Sequence, residues 1–140
     1  MSGPLPLLYP VLAQVLLTLA LLLWTGRARL AALRAGRARI PEVALSAEPW
    51  PDDVRKISNS YHNQFGTPVP FYVLCGAATY LHATGLVTVR LAWAYIASRL
   101  AHTYIHVTTN RVGRRFRVFA VGVAVLFAMW LLVTARLLAA

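Results

Sequence analysis

Three long runs of the chain, residues 1–26, 57–89 and 118–135, carry no charged side chain. A helix needs about 20 mostly apolar residues to cross a hydrocarbon core of about 30 Å, so each run is long enough to span one. A fourth stretch, residues 86–109, is interrupted only by Arg90 near its start and Arg99 inside it. The pattern predicts an all-α chain of one unit, residues 1–140, with four transmembrane helices over about 5–24, 54–83, 86–109 and 117–136.

Punctuation between the spans follows backbone chemistry. The Ala/Arg stretch at 26–40 continues the first helix out of the membrane, and Pro41 stops it. Pro49, Trp50 and Pro51 mark the following loop, with Trp50 expected as an interfacial anchor. Asp52 or Asp53 is expected to cap the second helix, since a carboxylate accepts from first-turn N–H groups. Pro68 and Pro70 predict a kink within the second span and free the carbonyls of Gln64 and Gly66. A membrane tolerates such groups only where protein or trapped water satisfies them. Cys75, the single cysteine, sits mid-span and reads as a packing residue.

Charge refines this picture. The net charge of +10 would fit a nucleic-acid binder, but its placement argues otherwise. Arg27, Arg29, Arg34, Arg37, Arg39, Arg55 and Lys56 lie between the first two spans, and Arg111, Arg114, Arg115 and Arg117 between the last two. The positive-inside rule puts both basic segments in the cytoplasm, beside anionic lipid, and both termini outside. Nucleic acid is not an expected partner; membrane lipid is. The arginines follow the first apolar run instead of preceding it, the reverse of a cleaved signal peptide. With no eukaryotic retention signal, a bacterial inner membrane is the location expected.

Two polar stripes carry the candidate chemistry. Tyr95, Arg99, His102 and His106 are spaced four, three and four, on one face of the third helix. An arginine near the middle of a span costs about 2.5–3.5 kcal/mol on insertion scales, which makes it a candidate functional residue. Asn59, Asn63, Gly66 and Pro70 repeat the spacing on the second helix. The two helices run antiparallel, so Asn59 and Asn63 lie at the depth of His102 and His106 and form a pocket open toward the basic segments. Asn63 taken alone reads first as a helix-to-helix hydrogen bond, whereas Arg99 with His102 reads as binding or catalysis ahead of a pin for helix register. No metal is expected: the four carboxylates, Glu42, Glu48, Asp52 and Asp53, all lie in the first basic loop, and His62 is the sole candidate for a third ligand. Paired-carboxylate chemistry and a Ser-His-Asp triad have no support within the spans.

At these residues the chain resembles the MAPEG family, membrane-associated proteins in eicosanoid and glutathione metabolism. The resemblance covers roughly residues 59–130 and rests on Asn-Ser-Tyr-His-Asn-Gln-Phe-Gly-Thr-Pro at 59–68, Ala-Ser-Arg-Leu-Ala-His-Thr-Tyr-Ile-His at 97–106 and Asn-Arg-Val-Gly-Arg-Arg-Phe at 110–116. It implies a left-handed four-helix bundle assembled as a homotrimer, with glutathione as co-substrate between subunits near the cytoplasmic face. Asn63 matches the family's asparagine, and Arg99 and His102 its Arg-x-x-His. Arg111 and Arg115 match basic residues, one of which stabilises the thiolate and is thereby catalytic. Asn59, His106 and Tyr104 complete the implied substrate-binding set. The family's acidic residue three after the asparagine is Gly66 here, its basic residue four before is Asn59, and its tyrosine four after the histidine is His106, with Tyr104 close by. The function implied is a glutathione-dependent transferase or peroxidase for apolar electrophiles. The alternative is a non-catalytic scaffold for lipid or small molecules that has lost the glutathione clamp.

Topology is directly testable. Cysteines introduced at Ser46 and Gly113 should resist an impermeant thiol reagent in intact cells, and one at Ser2 should label. The opposite pattern rejects the assignment.

Overall fold

The computed structural model describes residues 5–140, which leaves the Ser2 probe position outside it. The helices are α1 (Leu8–Arg34), α2 (Ile40–Val43), α3 (Asp52–His62), α4 (Pro68–Tyr80), α5 (Leu86–Val107) and α6 (Val112–Leu138), with a 3₁₀ turn at Asn63–Phe65 between α3 and α4. No strand occurs among the described residues. By length and composition, α1 and α6 are apolar enough to cross a membrane. Their outward faces leave Leu12, Leu16, Leu19 and Leu23 of α1, and Phe127 and Leu131 of α6, uncovered. Contiguous exposed apolar surface of this kind marks a face made for hydrocarbon or a partner.

Three helix ends and one loop residue differ from the sequence expectations, each with a physical cause. Instead of running on to Pro41, α1 ends at Arg34: Gly36 takes φ +71°, and the Arg37 N–H donates to the Ala32 carbonyl at 2.9 Å. This is a glycine stop, which needs no proline. Trp50 is not an interfacial anchor. It is buried with Ala32, Ala38 and Val54, and the Arg29 guanidinium lies 5.3 Å from its ring centroid. Asp52 and Asp53 stand inside the first turn of α3, after Pro51, with no side-chain cap bond. Asp53 instead accepts from Arg37 at 2.7 and 3.2 Å, and this guanidinium holds its carboxyl below the usual range. That exposed tether is complete above the ordinary carboxylate range and is lost as pH falls through the lowered value. Finally, α6 begins at Val112, so Arg114, Arg115 and Arg117 lie on its first turns and not in a loop.

The second span is broken, not kinked. Gly66 leaves helical geometry at φ −89°, ψ −109°, and a new helix starts at Pro68. At the first helical position a proline lacks only an N–H that would be unsatisfied anyway. Pro68 therefore begins a helix instead of bending one. The freed Gly66 carbonyl accepts from Val69 N–H at 3.1 Å.

Packing around this break builds the core. Tyr95 and Phe71 are fully buried and stacked, with ring centroids 4.4 Å apart. Cys75, Ala78, Ala92, Leu126 and Met129 continue the same cluster. On the other side of the break, Gln14 of α1 donates to Gln64 Oε1 at 2.9 Å, and Gln64 Nε2 donates to the Ser60 carbonyl at 2.8 Å. Helices α5 and α6 approach closely at Gly122, where an added Cβ would lie 2.8 Å from Ser98 Oγ. That hydroxyl donates to the Tyr95 carbonyl at 2.6 Å. Gly122→Ala should lower stability by about 1–3 kcal/mol through overpacking. Adding Ser98→Ala should recover most of the loss in thermal unfolding of detergent-purified protein. An unchanged midpoint in the single variant would mean that the two helices do not meet there.

Candidate functional site

A cavity of about 590 Å³ opens between α3, α5 and the first turns of α6. Its polar wall consists of Asn59, His62, Asn63, His102, His106 and Arg115, with Val112, Phe116 and Phe119 forming an apolar side. Asn59 and His62 share a face of α3, three residues apart, and Asn63 opens the 3₁₀ turn. His102 and His106 are one turn apart on α5, their rings edge to face with centroids 5.7 Å apart. Both are buried, and the Nδ1 of each meets no partner.

Arg115 owes its position to the α5–α6 turn. Asn110 sits at φ +50°, a conformation that asparagine tolerates better than most residues. Its N–H closes α5 onto the Ile105 carbonyl at 2.7 Å, and its Oδ1 accepts from Arg115 Nη1, also at 2.7 Å. One residue thus ends a helix and fixes a guanidinium at the cavity edge.

The α5 stripe divides into two tasks. All four of its members are buried, but only His102 and His106 reach the cavity. Arg99, 2% exposed, lies behind it, and its Nη2 donates to the Asn63 carbonyl at 3.2 Å. Tyr95 OH lies 3.0 Å from Thr67 Oγ1. The inner half of the stripe therefore holds the helix break, while the outer half lines the cavity.

Of the residues expected at a site, Asn59, Asn63, His102, His106 and Arg115 converge, and Arg99 stands one layer behind them. Tyr104 is 69% exposed and outside the cavity wall. Arg111 is exposed just before α6 and does not line it either. Val112, Phe116 and Phe119 are additions, and His62, which the sequence offers only as a metal ligand, joins them on the wall. Their signal was present in the spacing: 59, 62 and 63 share a face, as do 112, 115, 116 and 119 once α6 begins at Val112. Among the described residues, no group of three His, Cys, Asp or Glu is placed to hold a metal ion.

A second, apolar groove of about 610 Å³ lies between α4 and α6, lined by Val69, Pro70, Val73, Val123, Phe127 and Trp130 among others. On α6 its lining continues the spacing of the polar cavity, so one helix face runs from a donor-rich end to an apolar one. Such a face suits a polar group at one end and a hydrocarbon body along the rest.

Compared with the models of known protein families, the chain matches that of the MAPEG family over residues 7–135. Among curated proteins and solved structures, none matches.

Arg99→Leu separates the two readings of the buried arginine. It removes a charged hydrogen bond worth about 1.5–3 kcal/mol and leaves the Asn63 carbonyl bare. Membrane insertion should become easier while the thermal midpoint of the purified protein falls and hydrogen exchange rises over residues 63–68. An unchanged midpoint and exchange pattern would show that the bond does not hold the break.

Proposed function

The chain belongs to the MAPEG family of membrane-associated proteins in eicosanoid and glutathione metabolism, and on that footing we propose a transferase or peroxidase that uses a thiol of the glutathione class on apolar electrophiles. The observation that carries the reading is Arg115, held at the rim of the cavity by Asn110. A guanidinium beside a thiol favours the thiolate, the nucleophilic form. The proton leaves to water at the cytoplasmic mouth, the sulfur bonds to the electrophilic carbon, and the leaving group departs with its electron pair. In the peroxidase variant the thiolate attacks a peroxide oxygen, the O–O bond breaks, the alkoxide leaves and takes a proton from water, and a second thiol of the same class converts the resulting sulfenic acid to a disulfide and water. His102, His106, Asn59 and Asn63 supply hydrogen bonds for the carboxylates and amides of the thiol peptide. The groove along Val73 and Phe127 receives the apolar substrate. Arg111, exposed outside the wall, has no direct role in this scheme.

The proposed setting is a four-span protomer in a bacterial inner membrane, basic segments inward, assembled as a homotrimer. Assembly is supported by family membership and by Gly76, an exposed small residue whose added Cβ would meet nothing within 4 Å in its own protomer. A second reading, a non-catalytic scaffold for lipid or small molecules, is favoured by one specific observation: no carboxylate lines the cavity.

Ultraviolet thiolate absorbance, measured as peptide thiols with free and blocked amino groups are added to protein in lipid nanodiscs, distinguishes the two. A saturable thiolate signal is expected. Arg115→Met should cut it about tenfold or more, equivalent to raising the bound thiol pKa by about one unit, and Arg111→Met should leave it intact. No signal from any thiol at millimolar concentration, together with tight binding of a co-purifying lipid, selects the scaffold.

A further inference from the structure

The cavity wall offers hydrogen-bond donors and positive charge but no negative charge. Its polar members are two asparagines, three histidines and Arg115, with the Arg99 guanidinium buried directly behind Asn63. The four carboxylates of the chain are Glu42, Glu48, Asp52 and Asp53, all exposed. Asp53 is engaged by Arg37, and Asp52 lies 3.6 Å from Arg55 with its side chain 92% exposed. Asp52 is seven residues before Asn59 on α3, about 10 Å along the helix axis, and stands in water.

Glutathione carries two carboxylates and one ammonium. The carboxylates have partners here; the ammonium has none of opposite sign. Asparagine oxygens can accept its N–H groups but bring no compensating charge, and Arg115 on the same wall repels it. Acylating the amine removes the positive charge and leaves one N–H and one C=O. That is the donor–acceptor pair an asparagine side chain complements. Val112, Phe116 and Phe119 offer the apolar surface an acyl cap would touch. The unpartnered Nδ1 atoms of His102 and His106, both on buried residues, add to the unused polar capacity.

We infer that the polar ligand of this cavity is an anionic thiol whose amino group is acylated or absent, so that the cavity discriminates against free glutathione. This rests on the thiol-dependent reading above and specifies its co-substrate class. The two chemistries differ by a single group in glutathione and N-acetyl-glutathione, which share the thiol and both carboxylates.

Calorimetry of wild-type protein in lipid nanodiscs should show the N-acetyl form binding about tenfold tighter or more, the scale of one unbalanced charged contact. Asn59→Asp, which puts a carboxylate on the wall with almost no change in shape, should reverse the order by strengthening glutathione about ten- to a hundredfold and weakening the N-acetyl form. Glutathione binding as tightly as its N-acetyl form, or tighter, in the wild type overturns the inference while leaving thiol dependence standing. Binding of neither overturns both. If Asn59→Asp does not fold, the wild-type comparison alone decides.

Discussion

A carbonyl freed where a buried helix breaks must find another donor, in the next turn of its own chain or on a neighbouring helix, because an unpaired buried polar group is costly. The break between α3 and α4 creates that demand; α5 meets it at the Asn63 carbonyl through Arg99, and the hydroxyl contact of Tyr95 with Thr67 adds a second attachment. Much of the interior is arranged around these two attachments. Stacking of Tyr95 on Phe71 ties the second half of the broken helix to α5. Because the chain changes course at Gly66, the segment before the break lines a polar cavity and the segment after it lines an apolar groove.

Helix α6 joins those two halves. Its 27 residues extend about 40 Å. Residues 112, 115, 116 and 119 face the polar end and 123, 126, 127 and 130 the apolar end. Arg115 on its first turns marks the polar end of α6, and the uncharged run 118–135 marks the apolar one. Its neighbours sharpen the same boundary, α3 and the α5 histidines on one side and α4 on the other.

The all-helical class and the buried face of α5 were legible in the sequence because a period of 3.6 identifies a face directly. Depth and neighbours were less legible. Spacing put Arg99 on the same stripe as His102, yet only three-dimensional packing assigns one to a backbone carbonyl and the other to a cavity wall. Tyr104 seemed near because it is two residues from His106, although two residues along a helix point about 200° apart. Two prolines read as a kink, and the outcome depended on whether α5 could satisfy a full interruption. The start of α6 was misplaced because charge marked 111–117 as loop, whereas helix termination at Asn110 is set by left-handed geometry and an Arg115 bond that no local propensity reports. Trp50 was read as a membrane residue because composition carries no sign of the small packed cluster beneath the arginine-rich end of α1.

The Gln14–Gln64 pair carries a consequence for synthesis. Both amides are buried, but Gln64 also donates to the Ser60 carbonyl one turn back, whereas Gln14 depends on Gln64 alone. During translation α1 enters first, and its glutamine waits through some fifty residues of further chain for its partner. In that interval it has only water at the insertion machinery, lipid headgroups or its own helix backbone to bond with. The nascent protein therefore has a chemical reason to keep α1 near the exit site until the broken helix emerges. An apolar replacement at Gln64 would strand the buried Gln14 amide, whereas one at Gln14 leaves Gln64 its bond to the Ser60 carbonyl, so the burden of the pair falls on the earlier glutamine.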